Sequence, residues 1–292
     1  MSASDATPEA TRPEPAAPEW DAPLAEVPLL WLDLEMTGVD PETDHICEVA
    51  ALRVQGGEET ERLVTLVKPP VPVGASEAIH HISDDALADA PTLETLRAPL
   101  ERLLEGAIVV GHTIGFDLKF LRAAAARGWL DPPPMHALDT RLLARRAWHR
   151  PSYGLRALAE EHALPLPTHR AEPDAIAAGK LLEVVARELH ASTARQLWQS
   201  QRRGDPIRFR DDVEATLRRA RDEGRAVRVA YRVPGRDPFI DTLEPWAIEG
   251  PRVEGRLHER DVRKILRGDR LLWAEPTEQR FSVPEGFVSS CP

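Results

Sequence analysis

The chain has 292 residues, 42% apolar and 29% charged, which is ordinary globular usage and excludes collagen-like or wholly disordered architectures. No apolar run reaches the roughly 18–20 residues a membrane span needs, and no basic segment followed by an apolar stretch opens the sequence, so a cytoplasmic protein with no membrane contact is expected. A net charge of −11 argues against a nucleic-acid coat protein, and two cysteines, Cys47 and Cys291, are too few for a disulfide framework or a thiolate zinc site.

Residues 1–27 carry six acids against one base, with five prolines and seven alanines, and read as a disordered, extended tail. Order is expected to begin at Leu29-Leu30-Trp31-Leu32, a short apolar run typical of a buried strand. Cys47–Val54 and Arg62–Val67 follow as further strands, joined by glycine-containing turns into an antiparallel meander. Then the pattern alternates: a helix over Thr92–Leu104, a strand at Ala107–Val110, a helix over Phe116–Arg127 stopped by Gly128, and a weaker strand near Met135–Leu138. Helices are expected from Thr140, over Gly154–His162 and over Pro173–Leu189. Strands first, then helix and strand in alternation, predict an α/β fold with a mixed five-stranded sheet flanked by helices, over residues 28–191. Residues 192–208 read as a helical linker, in which Gln196-Leu197-Trp198 fits one face of an amphipathic helix better than a sliding-clamp peptide. Beyond it, a helix at Val213–Ala220 and five short strands predict a small β-rich α+β domain over 209–292.

The informative residues are acids on faces that otherwise read as core. Asp33 and Glu35 stand two apart at the end of an apolar strand, so both side chains leave one sheet face. Asp117 shares a helix face with Phe120, Leu121 and Ala124, and Asp174 heads a stripe of Ala177, Ala178, Leu181 and Val185. Singly, each could be a turn, cap or helix-start residue. Four together pointing inward would repel and pay heavily for desolvation unless a positive charge sat among them. Oxygen-only ligation suits two Mg²⁺ or Mn²⁺ ions, a pair able to activate water and stabilise a leaving oxygen in phosphoryl transfer. His169, five residues before Asp174, is placed to take a proton from such a water.

Three motifs, WLDLEMTG (Trp31–Gly38), GHTIGFDLKFL (Gly111–Leu121) and HRAEPDA (His169–Ala175), resemble those of the DEDDh exonucleases, in the DnaQ-like branch that includes proofreading subunits of bacterial DNA polymerase III. The resemblance covers about residues 29–190. It implies a ribonuclease H-like fold and stepwise release of nucleoside 5′-monophosphates from the 3′ end of DNA, or of RNA, by a two-metal mechanism. By position it makes Asp33, Glu35, Asp117 and Asp174 metal ligands and His169 the general base, with Met36, Thr37, Gly38, His112 and Phe116 at the substrate. The implied partners are single-stranded or 3′-ended nucleic acid and a DNA polymerase or repair complex. Two departures stand out: Thr113 where the family often has Asn, and His80-His81-Ile82 where many members have His-Gly-Ile. Asp139, directly before a helix, reads as an N-cap rather than a fifth ligand.

The C-terminal segment weakly resembles WYL-type domains through Val227–Tyr231, Pro245 and the basic run after Arg260, although the Trp-Tyr-Leu tripeptide is missing. Between Arg252 and Arg270 seven bases face four acids, which fits either a phosphate-tracking face or a solvated sheet. The competing functional readings are a catalytically idle nucleic-acid scaffold and a ligand-sensing regulator.

Overall fold

The computed structural model describes residues 15–133, 135–201 and 207–291, so positions 1–14 of the expected tail and 202–206 of the expected linker lie outside the described residues. The apolar run at the start becomes β1 (Leu29–Met36), which is buried on both faces because it lies at the centre of a sheet. β2 (Ile46–Gln55) and β3 (Glu58–Leu66) extend it as an antiparallel meander, turned at Gly56 and Gly57, whose φ of 63° and 86° glycine adopts without strain.

Three four- to eight-residue helices follow: α1 (Glu77–His80), α2 (Asp84–Leu87) and α3 (Arg97–Leu104). The first two fall where the sequence predicted no element. The third is shorter than predicted, because Leu93–Leu96 forms a separate 3₁₀ turn and Pro99, which lacks an N–H, fits only the first turn of the helix. β4 (Ile108–Gly111), α4 (Gly115–Ala126), β5 (Ala137–Asp139), α5 (Thr140–Ala147), α6 (Leu155–Glu161) and α7 (Ala171–Glu188) agree with the predicted elements to within a residue or two. β4 and β5 run parallel to β1, completing the order β3-β2-β1-β4-β5. The mixed sheet has one apolar core on each face. α7 lies on the β1 face so closely that Gly179 meets the ring of Trp31, and a side chain there would have no room.

Two stretches are more tightly packed than their composition suggested. Of the expected tail, residues 15–27 fold back on the domain: Trp20 is buried edge-on against Trp198, with ring centroids 5.6 Å apart, and Asp21 pairs with Arg195. Trp20 and Val27 supply the apolar anchors that the prolines and alanines around them hid. Of the expected linker, α8 (Ala194–Gln201) is a packed helix rather than a free spacer. Leu197 and Trp198 are buried, which removes them from any clamp-peptide role, and Gln201 closes the sheet edge by bonding the N–H of Asp139 and the carbonyl of Ala137 at 2.9 Å each.

The C-terminal unit comprises α9 (Asp211–Glu223), β6 (Arg225–Tyr231), β7 (Phe239–Glu249), β8 (Arg252–Leu257), β9 (Val262–Arg267) and β10 (Leu271–Arg280). Its antiparallel sheet runs β10-β6-β7-β8-β9, and α9 packs across it through Val213, Leu217 and Ala220. It docks on the end of α7. Trp273 stacks on His190 at 4.4 Å, and Arg210 donates to the carbonyls of Leu189 (2.7 Å) and His190 (3.2 Å).

Candidate active site

The site forms where the parallel strands end. β1 continues past its last partner on β4, Trp31↔Val110, so Asp33 and Glu35 project at the sheet's C-terminal edge, the usual location for ligands in such sheets. From β4 the chain turns directly into α4, which delivers Asp117 in its first turn. Asp117 Oδ1 accepts a hydrogen bond of 3.0 Å from the N–H of Leu34, the residue between Asp33 and Glu35. α7 contributes Asp174, also in a first turn, and its Oδ1 accepts the N–H of Thr168 at 2.8 Å. Pro173 stands third in α7 rather than at its start, still within the turn where no N–H is needed.

Carboxylate oxygens of Asp33, Glu35 and Asp174 lie within 4.8 Å of one another. Asp117 stands outside that group of three but is buried beside it. Burial and mutual repulsion hold these acids toward their protonated forms. The carboxyl of Asp33 is raised well above the ordinary range by desolvation, then by the charges of Asp117, Asp174 and Glu35. Desolvation and Asp174 push Glu35 up to about 7. Asp117 is pushed up to about 8 by desolvation, against the hydrogen bonds it receives. Asp174 is raised too, again mainly by desolvation, with the hydrogen bond from Thr168 and then the charge of His169 opposing. Three closely spaced oxygen donors fit a hard divalent cation of the Mg²⁺ or Mn²⁺ kind.

His169 lies on the turn into α7, exposed and with φ of 58°, near enough to Asp174 for its charge to act there. The next residue, Arg170, reaches across to β2 and donates to Glu48, with Nε at 3.0 Å from Oε2 and Nη2 at 2.5 Å from Oε1. Glu48 Oε2 also accepts the N–H of Ala171, the first residue of α7, at 2.9 Å. Glu48 is 4% exposed and sits directly opposite Glu35 in the β1–β2 register. Sequence reasoning passed over it, although an acid inside the apolar run Cys47–Val54 was a signal of the same kind as the others.

The residues assigned to substrate contact fall differently. Met36 and Thr37 are 7% and 8% exposed, their side chains turned into the protein, and Thr37 Oγ1 accepts the N–H of His45 at 3.0 Å. At Gly38 the missing side chain makes room for the carboxylate of Asp44, whose Oδ2 would lie 2.3 Å from a Cβ. His112 has both ring nitrogens engaged, Nδ1 with Thr140 Oγ1 and Nε2 with the carbonyl of Tyr153, each at 2.9 Å, and burial pushes it down to about 4. It therefore ties α5 and the following loop to β4. Phe116 is half-buried and packs edge-on against Phe120 at 5.3 Å. Asp139 caps α5, accepting the N–H groups of Arg141 (2.9 Å) and Leu142 (3.2 Å). Thr113 and His81 both adopt left-handed backbone, φ 65° and 58°, a region that Asn and Gly tolerate best.

In the C-terminal unit most of the basic run is neutralised internally. Arg256 pairs with Asp261, Arg260 with Asp241, Arg263 with Glu254 and Arg267 with Asp269. Asp241 and Glu254 are buried acids that need those partners.

Comparison with known proteins places this geometry. The chain belongs to the RNase_T family, described as exonuclease, whose model matches residues 30–182. A DNA polymerase III PolC-type of Thermotoga maritima is 32% identical over 161 residues, covering 53% of this chain and 12% of that protein. A 3′-5′ exonuclease DinG of Staphylococcus epidermidis is 28% identical over 173 residues, covering 57% of this chain and 19% of that one. The chain thus spans a small part of these relatives. Among solved structures, the zinc-ion-bound form of an E. coli ExoI–ssDNA complex shares the fold with a TM-score of 0.52 at 17% identity, covering 79% of this chain and 54% of that one. No helix among the described residues is long and apolar enough to cross a membrane.

Proposed function

We propose that the protein is a metal-dependent 3′–5′ exonuclease that releases nucleoside 5′-monophosphates from single-stranded DNA ends. The observation that carries the reading is the trio Asp33, Glu35 and Asp174, whose carboxylate oxygens lie within 4.8 Å of one another while burial and mutual repulsion raise all three. The names of the relatives support DNA as substrate and the 3′–5′ direction, and the polymerase among them supports a DNA polymerase as partner.

Asp33, Glu35 and Asp174 would hold the ions, with Asp117 completing the set from α4. When bound, two divalent cations supply an activated water and neutralise charge on the scissile phosphate. His169, exposed at the lip of the site, would accept the proton of the attacking water. Phe116 offers an apolar face for the terminal nucleotide, while Met36, Thr37 and Gly38 present backbone rather than side chains.

The unit 15–201 forms the catalytic domain, including the packed N-terminal segment and α8, and 209–292 is a separate small domain. That domain acts as a β-rich module docked on the end of α7. Its paired arginines favour support of α7 over phosphate tracking.

The test is digestion of 5′-labelled single-stranded DNA, duplex DNA and RNA in Mg²⁺, Mn²⁺ or EDTA. A ladder shortening from the 3′ end, lost in EDTA and in Asp33→Asn, supports the reading. Asp33→Asn at wild-type rate overturns it. His169→Ala should lower kcat about 10²–10⁴-fold while Mn²⁺ binding survives.

A further inference from the structure

Glu35 and Glu48 face each other across β1 and β2, with Cβ atoms of such pairs about 4.5–5.5 Å apart. Like charges so placed repel, and one guanidinium, Arg170, stands between neutralising one or the other. The structure gives Arg170 to Glu48 through a forked contact, leaving Glu35 to the carboxylate cluster. The same Glu48 takes the N–H of Ala171, the first residue of α7, so it holds the two residues that follow His169.

We infer that Glu48 is a positioning residue: it holds Arg170 off Glu35, keeping that acid available to a cation, and anchors the loop bearing His169. The inference rests on the carboxylate cluster being a cation site. Neutralising Glu48 releases Arg170, whose free guanidinium can then pair with Glu35 and compete with the ion. Removing Arg170 as well relieves that competition but leaves the His169 loop unanchored. Cation affinity and turnover therefore respond to the same substitutions in different patterns, which loss of packing alone does not produce.

The experiment compares wild type, Glu48→Gln, Arg170→Gln, the double variant and Asp33→Asn. Mn²⁺ affinity is measured by calorimetry, kcat and KM with a labelled oligonucleotide, and the thermal midpoint of each variant alongside. Glu48→Gln should bind Mn²⁺ about 10–100-fold more weakly, the scale of lost supporting contacts at metal sites. The double variant should return Mn²⁺ affinity to near wild type. All three variants should lose kcat by about 10–100-fold with KM little changed. A Glu48→Gln protein that binds Mn²⁺ like wild type, or a double variant as weak as Glu48→Gln, overturns the inference. If Glu48→Gln does not fold, Arg170→Gln still decides, since an unchanged kcat there contradicts the anchor. Asp33→Asn separates the two levels: if it binds Mn²⁺ as wild type does, the cation site itself is wrong.

Discussion

Gly179→Ala tests how α7 is seated. A Cβ at this position would lie 2.0, 2.2 and 2.6 Å from Cδ2, Cε2 and Cε3 of Trp31, where carbon atoms normally approach to about 3.5–4.0 Å. The methyl must therefore be accommodated by a displacement of roughly 1.5 Å. Trp31 has little freedom to yield, being 6% exposed and paired with Leu52 on β2 and Val110 on β4. The movement falls on α7, which carries Asp174 five residues earlier, while Asp33 follows Trp31 on the strand. Overpacking of this kind costs about 1–3 kcal/mol, so the thermal midpoint should fall by roughly 3–10 °C. A misplacement near 1 Å between the two acids should lower kcat by about 10²-fold. Differential scanning fluorimetry and single-turnover digestion read the two effects. Gly115→Ala, with open space around its Cβ, is the control and should leave the midpoint within about 1 °C. A Gly179→Ala protein with wild-type midpoint and rate would refute the close seating of α7 on Trp31.

Without divalent ions, stability should fall as pH rises from about 4.5 to 8. The folded protein holds protons on Glu35 up to about 7 and on Asp117 up to about 8, while the unfolded chain releases them near ordinary carboxylate values. For Glu35 alone the full penalty is about 3 kcal/mol, reached above its folded pKa. Melting curves in EDTA that rise or stay flat over that interval would contradict this, and added Mg²⁺ should restore the midpoint most at the alkaline end. His81→Gly places the residue best suited to φ of 58° at the end of α1 and should raise stability by about 0.5–1 kcal/mol in chemical denaturation. Because His81 is exposed, a loss of stability would show that its side chain contributes a contact the backbone argument ignores.

The acids of the site were legible because each interrupts an apolar pattern whose period betrays its face. Asp33 and Glu35 break a strand, and Asp117 and Asp174 break helical stripes. Asp139 was legible for another reason, since a helix start explains it fully, and it does cap α5. Glu48 escaped because its meaning depends on register. Only when β2 is laid against β1 does it stand opposite Glu35, and only the fold brings Arg170 to it across 122 positions. Trp20 escaped because a lone aromatic among prolines and alanines has no periodicity until Trp198 and His136 form its receptacle. The basic run of the C-terminal unit misled by simple counting, since the acids that neutralise much of it are buried on β7 and β8 or lie in the turns, and local charge says nothing about pairing.

The central claim, that clustered carboxylates are tolerated because they hold divalent cations, is tested most directly by anomalous diffraction from Mn²⁺-soaked crystals. Manganese should appear between Asp33, Glu35 and Asp174, with Asp117 beside it, and should vanish from the Asp33→Asn crystal. An active preparation whose crystals show manganese elsewhere, or show those carboxylates bonded to arginines, would contradict the account.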